Sequence, residues 1–296
     1  MKISAVQNIT YVPGTSTLKK PYSPKHTAFC SALDGFYEQL AVRSRKPIPP
    51  IKELDGKIQK VNVKTADGLM LEFLDIKSDR ASKNYVLFLH GINVNAMDLQ
   101  YQNLYKDLTK NGVNVLALEY RGFGPNKGKV EENGIMLDAK AGYDYLIQKG
   151  AAPKDIAVVG HSLGGTVACR LAAQKDIKFL VLDSTFNNPV DIAQALLKSQ
   201  KLGESDNYFR LLGTGAITTE NEFSIDKNIQ HVRCPILFVH CENDNFVPLE
   251  LAQKLERNVS DGVRHKFVTI PNCATHEITP QESEKIAEYA AKEFTP

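Results

Sequence analysis

From about residue 57 onward, short apolar runs alternate with stretches in which apolar residues recur every three or four positions. That alternation is the pattern of a largely parallel β-sheet whose crossover helices cover both faces. Five runs, at 85–89, 113–118, 156–159, 179–182 and 236–239, are almost continuously apolar, as strands buried on both faces are. Helical spacing predicts helices over about 98–111, 131–149, 164–175, 249–259 and 280–294, with a further strand near 266–270. Ahead of them, the runs 57–64 and 70–76 flank the turn residues Ala66-Asp67-Gly68, which predicts an opening antiparallel hairpin.

Two stretches break the rhythm. Residues 1–50 are punctuated by Pro13, Pro21, Pro24, Pro47, Pro49 and Pro50 and are made basic by Lys19, Lys20, Lys25, Arg43, Arg45 and Lys46, so they read as an extension ahead of a main domain at 51–296. Within the extension, Phe29, Leu33, Phe36, Tyr37 and Leu40 recur at helical spacing and predict a short amphipathic helix. It packs on the main domain or meets a membrane or protein partner. The second stretch, about 185–230, carries a helical run through Ile192, Leu196 and Leu197, then polar residues, then Phe209, Leu211 and Leu212. It reads as a small cap inserted over one sheet edge.

Composition narrows the class without naming a chemistry. With 296 residues, 43% hydrophobic and 24% charged, the chain has ordinary globular composition and can bury a sizeable core. A net charge of +2 points to neither nucleic acid nor a polyanionic substrate. Cys30, Cys169, Cys234, Cys241 and Cys273 are scattered and odd in number, and read as reduced thiols of a cytoplasmic protein. The first residues lack the apolar centre of a signal peptide, and no run approaches the roughly 18 apolar residues of a membrane span.

The chemistry concentrates at Gly160-His161-Ser162-Leu163-Gly164, which follows the 156–159 strand directly and opens the next helix. A serine on so sharp a strand-to-helix turn sits in strained backbone, so the residues two positions away on either side must be small. The helix behind it aims N–H groups and its positive end at the place where an oxyanion would form, with the Leu163 N–H as one donor. The Ile92 N–H, in the loop Leu89-His90-Gly91-Ile92-Asn93, is the second expected donor. His90 itself reads as a loop-shaping residue.

A serine hydroxyl needs a base within hydrogen-bond reach and a carboxylate to orient that base. His276, in the turn-rich segment after the last strand, suits the base; His231, His240 and His265 lie before, at the end of, or at the start of strands. Asp244, midway along the loop that leaves the 236–239 strand, is the expected acid, with Asp183 and Glu242 as rivals. His231, Cys234, His240, Cys241, Cys273 and His276 could suggest zinc, but they include no paired C-x-x-C and half of them lie in or beside an apolar strand, so no metal is expected. The glycines around Gly122 and Gly124 fit neither the dinucleotide nor the Walker spacing.

Taken in order, His90-Gly91, Glu119-Tyr120-Arg121-Gly122-Phe123-Gly124, Asp138-Ala139, Gly160 through Gly165, Cys234-Pro235, Asp244 with Val247-Pro248, and His276 resemble the α/β-hydrolase superfamily. The resemblance runs from about residue 57 to the end and is nearest to the small esterase-like branch that includes the α/β-hydrolase-domain protein depalmitoylases. It implies an α/β-hydrolase fold: a mostly parallel eight-stranded sheet with helices on both faces. It also implies a Ser162, Asp244, His276 triad, no cofactor, and a buried polar contact for Arg121. The chain departs from the family pattern at Cys241 and Cys273, where glycine is usual, and at Asn126, where serine is common.

The expected activity is hydrolysis of a carboxylic ester or thioester, with a small or lipid-like acyl substrate under the cap. A serine peptidase and a non-catalytic binding protein of the same fold are the competing readings.

Overall fold

The computed structural model describes Leu54 and residues 56–92, 94–199 and 224–295. The helix expected around Phe29–Leu40 positions in the extension, and the cap residues Phe209, Leu211 and Leu212, lie outside the described residues. The remaining elements follow the predicted alternation. A hairpin, β1 (Ile58–Lys64) and β2 (Met70–Ile76), is followed by β3 (Tyr85–Leu89), α1 (Leu99–Lys110), β4 (Asn114–Leu118), α2 (Glu132–Gln148) and β5 (Ile156–His161). Then come α3 (Leu163–Ala172), β6 (Leu180–Asp183), α4 (Pro189–Lys198), β7 (Ile236–Cys241), α5 (Leu249–Glu256), β8 (His265–Ile270) and α6 (Pro280–Phe294).

These strands form one eight-stranded sheet in the order β1-β2-β4-β3-β5-β6-β7-β8. The hairpin joins β4 antiparallel, and every pair from β4 to β8 is parallel. The apolar runs are continuous because alternate residues feed two cores. Tyr85, Leu87 and Leu89 of β3 face one side, with Ile135, Tyr143 and Leu146 of α2 and Val167 and Leu171 of α3. Val86 and Phe88 face the other, with Tyr101, Leu104 and Tyr105 of α1 and Ile286 and Ala290 of α6. A strand buried on both faces has no polar side left to show.

Arg121 fastens the hairpin to this body. Its guanidinium donates to Asp138 of α2, with Nη2 2.7 Å from Oδ1, and to Asp67 in the hairpin turn, with Nη1 2.7 Å from Oδ2. Asp138 Oδ2 also accepts the Arg121 N–H at 2.9 Å. Gly134 leaves the room for this, since a Cβ there would lie 2.7 Å from Arg121 Cδ. The buried polar contact implied for Arg121 is therefore present, and it is bidentate at both ends. The Arg121 hydrogen bonds hold the Asp67 carboxyl down at about 2.

In an open α/β sheet, ligands bind beyond the carboxyl ends of the strands where the strand order reverses. Here β3 lies between β4 and β5, so the crevice opens above the ends of β3 and β5. Ser162 follows β5, the Gly91 loop follows β3, and the Asp244 and His276 loops follow β7 and β8.

Candidate active site

Ser162 sits between β5 and α3 with φ 54° and ψ −120°, a left-handed conformation that costs a non-glycine residue about 1–3 kcal/mol. Its neighbours show why they are glycines. A Cβ on Gly160 would lie 2.3 Å from the Gly164 carbonyl oxygen, and one on Gly164 would lie 2.0 Å from the Leu89 carbonyl oxygen. Both clashes are with backbone, which cannot swing away. The turn is pinned from below by the Ser162 N–H, which donates to the Asp183 carbonyl at 2.9 Å, and by Thr185 Oγ1, which donates to the Ser162 carbonyl at 2.8 Å.

The structure brings Ser162, His276 and Asp244 into one hydrogen-bonded line. Ser162 Oγ lies 2.8 Å from His276 Nε2, and His276 Nδ1 lies 2.8 Å from Asp244 Oδ2. The carboxylate divides its oxygens. Oδ1 accepts the N–H groups of Phe246 and Val247 at 2.8 and 2.9 Å, which shapes the acid loop, while Oδ2 faces the imidazole. Burial alone would raise the Asp244 carboxyl; the hydrogen bonds from His276 and the loop amides outweigh it and hold the group below its usual range.

The rival acids do other things. Glu242 Oε2 accepts the Asn272 N–H at 3.0 Å across to the base loop. Asp183 is fully buried and neither carboxylate oxygen has a hydrogen-bond partner among the described residues. Burial, with the nearby Glu282 and Asp244 charges, pushes its carboxyl well up. With no hydrogen bond to an imidazole, it does not orient His276.

Leu163 follows the serine as the first residue of α3, and Gly91, next to Ile92 in the chain, packs so closely that a Cβ there would be 3.3 Å from Ser162 Cβ. His90 is completely buried and packs its ring against Tyr120 and Phe123. Its Nδ1 lies 2.8 Å from the Gly91 carbonyl and its Nε2 3.2 Å from Glu119, whose other oxygen accepts the Ala96 N–H. His90 therefore shapes the loop, as its place beside Gly91 suggests.

One residue in the site carries no sequence signal. Tyr101 of α1 is fully buried, and its hydroxyl accepts the Gly91 N–H at 2.9 Å and lies 3.0 Å from His161 Nδ1. His161 Nε2 is 2.9 Å from the His276 carbonyl, which can only accept, so Nε2 carries the proton and Nδ1 accepts from Tyr101. A strut of three hydrogen bonds thus joins the Gly91 loop to the backbone of His276. Tyr101→Phe is expected to lower kcat about tenfold and stability by about 1–3 kcal/mol, because it leaves a buried N–H and a ring nitrogen unpaired. Steady-state kinetics and thermal melting of the variant check both.

Burial, with the neighbouring His276, pushes His161 down from 6.5 to about 3. The unfolded chain then takes up a proton that the folded one refuses. The resulting stabilisation is complete above pH 6.5 and is lost as pH falls toward about 3. The expected slope is up to about 1.4 kcal/mol per pH unit. Urea midpoints measured from about pH 7 to 5 should fall less steeply for His161→Asn than for the wild type, and equal slopes would remove His161 as the cause.

The cysteines require a correction. Cys241, the last residue of β7, and Cys273, three residues before His276, form a disulfide with Cα atoms 5.0 Å apart. Cys169 and Cys234 are free and buried, as small apolar side chains, while Cys30 lies outside the described residues. The reading of all five as reduced thiols fails for the pair because β8 lies directly beside β7, a neighbour relation that sequence spacing does not reveal. The signal was present in the two departures from glycine. Among the described residues, Cys241, Cys273 and Glu282 are also grouped closely enough to hold a metal ion, but sulfurs joined in a disulfide are not thiolate donors.

A mostly parallel sheet with a strained serine at the end of β5, and a histidine and aspartate brought to it from the last two strands, defines an α/β-hydrolase-fold protein. The comparisons agree, and the chain belongs to the α/β-hydrolase superfamily. Residues 84–202 match the family model described as the alpha/beta hydrolase fold. The chain is 31% identical to the lysophosphatidylserine lipase ABHD12 of Danio rerio over 185 residues, covering 60% of this chain and 48% of that protein. It is 26% identical to protein bem46 of Schizosaccharomyces pombe over 243 residues, covering 80% and 76%. The chain thus spans about half the length of the lipase that it matches. Among solved structures, an alpha-beta hydrolase from Vibrio vulnificus superposes with a TM-score of 0.69 at 22% identity, covering 95% of this chain and 98% of that one. An esterase from Pyrococcus furiosus superposes with a TM-score of 0.66 at 24% identity, covering 86% and 97%. At such identities these two establish the fold alone.

Proposed function

We propose that this chain is a serine hydrolase that cleaves carboxylic esters through an acyl-enzyme on Ser162. The observation that carries the reading is the unbroken line from Ser162 Oγ to His276 to Asp244, with both heavy-atom distances 2.8 Å. In that geometry His276 Nε2 takes the hydroxyl proton as Oγ bonds to the ester carbonyl carbon. The N–H groups of Ile92 and Leu163 receive the oxyanion, and the same proton passes to the departing alcohol. Asp244, kept ionised by its surroundings, stabilises the imidazolium; water then repeats the sequence and releases the acid. A thioester reacts by the same steps with a thiol as leaving group. No step calls for a cofactor.

The substrate class follows from what stands beside the serine. Phe186, Ile192 and Leu196 from the segment around α4 pack with Val247, and Phe246 of the acid loop and Leu251 of α5 pack against them. Phe246 also lies with its ring centroid 5.2 Å from that of His276. An apolar wall of this kind beside the acyl-transfer centre suits a fatty acyl chain. The lysophosphatidylserine lipase named among the relatives makes a single-chain phospholipid a first candidate. No helix among the described residues is long and apolar enough to cross a membrane.

The test is labelling of the wild type and Ser162→Ala with a fluorophosphonate, read as a mass shift on the intact protein. A shift present in the wild type and absent in the variant is the expected result. An unlabelled wild type would overturn the reading and bring forward a binding protein that keeps the fold.

A further inference from the structure

We propose that the Cys241–Cys273 disulfide is a reversible redox clamp on the triad, holding the acid loop against the base loop when oxidised and releasing them when reduced by a small thiol. The inference rests on the serine-hydrolase reading above and adds a control element to it.

Placement is the first argument. Cys241 ends β7 three residues before Asp244, and Cys273 stands three residues before His276, so one covalent bond joins the two loops that supply two of the three triad members. The other ties across this seam are hydrogen bonds. The Glu242 N–H donates to the Ile270 carbonyl at 3.0 Å, the Asn243 N–H to the Cys273 carbonyl at 2.8 Å, and the Asn272 N–H to the Glu242 carboxylate at 3.0 Å. Asn272, next to the bond, holds φ 55°, a conformation that persists in a non-glycine residue when its surroundings over-determine it. The disulfide supplies such a constraint one residue away.

The second argument is that the reduced state has a partner waiting. Glu282 of α6 is fully buried, and its Oε1 has no hydrogen-bond partner among the described residues, while Oε2 caps the helix by accepting from Thr279. Its carboxylate and both sulfurs lie within 4.8 Å of one another. A disulfide offers Oε1 no donor; a thiol S–H does. Opening the bond therefore leaves two thiols beside an unused acceptor, which gives the reduced state a structure of its own.

The exchange is a two-electron step. A glutathione-like thiolate bonds to Sγ of Cys273, the more exposed sulfur residue at 7%, and the protein S–S bond breaks. Cys241 leaves as a thiolate and takes a proton. A second thiol then displaces Cys273 from the mixed disulfide, so that two small thiols are oxidised to their disulfide as the protein gains two. A reducing cytoplasm would hold the enzyme open, and an oxidising compartment would hold it clamped.

The experiment uses the full chain, air-oxidised, reduced with excess glutathione, and re-oxidised, in metal-free buffer. Alkylation under denaturing conditions counts the thiols in each sample and must show two more after reduction. On reduction, kcat for a p-nitrophenyl ester is expected to fall about 10- to 100-fold, as a displaced catalytic group does, with KM within about twofold, and to recover on re-oxidation. Cys241→Ala/Cys273→Ala should sit at the reduced level and ignore the reductant. Amide exchange over residues 242–247 and 272–278 should quicken on reduction, a readout that needs neither turnover nor a folded variant. Equal kcat in the two states, or exchange that does not change between them, would overturn the clamp, as would Cys241 and Cys273 already alkylated as free thiols in the air-oxidised protein. A wild type that is neither active nor labelled in any state, yet still shows the exchange difference, would separate failure of the hydrolase reading from failure of the clamp.

Discussion

Ester turnover by Ser162→Ala is expected to fall by on the order of 10⁶-fold, and His276→Ala should cost nearly as much, because nucleophile and base act as a unit. Neither loss adds to the other in the double variant, since removing the base deprives a serine that is already absent. Asp244→Asn should lower kcat by about 10⁴-fold with little change in KM, because an amide can neither fix the His276 tautomer nor stabilise its charge. Asp183→Asn is the informative contrast. Burial and charged neighbours push its carboxyl well up, and it touches no triad atom through a hydrogen bond, so kcat should stay within about tenfold of wild type. Steady-state kinetics on one p-nitrophenyl ester across these four variants decides the matter. If Asp183→Asn proves the more damaging of the two acid variants, the acid belongs at the end of β6.

Arg121→Met should produce the largest loss of stability, about 3–5 kcal/mol. Arg121 is 3% exposed and makes the ionic contacts that the fully buried Asp138 has among the described residues. Removing it leaves that carboxylate without a counter-charge, a far worse state than never having buried a pair. It also frees the hairpin turn, where Asp67 is bound from the same side chain. Asp67→Ala should cost much less, because its side chain is 37% exposed and water can take over its interactions. Urea denaturation of the two variants beside the wild type gives the comparison; equal losses would show that the hairpin contact, and not the buried charge, sets the cost.

Much of the architecture was legible in the chain because its signals are local. The strands at 85–89 and 236–239 show as continuous apolar runs because neighbouring residues enter opposite cores, and the helices show as a stripe because one face of each is buried. The strand-to-helix turn around Ser162 was legible for the same reason: two glycines, a strand before and a helix after are all contained in about twenty residues. The order of serine, aspartate and histidine along the chain narrowed the expected base to His276, since it alone of the later histidines lies in a loop beyond the last strand.

The tertiary structure decided what depends on which loops become neighbours. Asp244, Asp183 and Glu242 are all acids at or just past strand ends; packing gives the first to His276, buries the second without a hydrogen-bond partner among the described residues and turns the third to the Asn272 amide. Tyr101 lies 60 residues from His161, and no periodicity could tell its hydroxyl from that of any other buried tyrosine. Cys241 and Cys273 were visible as departures from glycine, yet read as thiols until β8 was placed beside β7 and brought their sulfurs together. Sequence by itself determined the elements, the strained turn and the residue types available, because these follow from short-range sterics and from the period of burial. The choice of partner for each polar or sulfur atom belongs to the fold, because hydrogen bonds, ion pairs and disulfides form across a few ångströms of space whatever the distance along the chain.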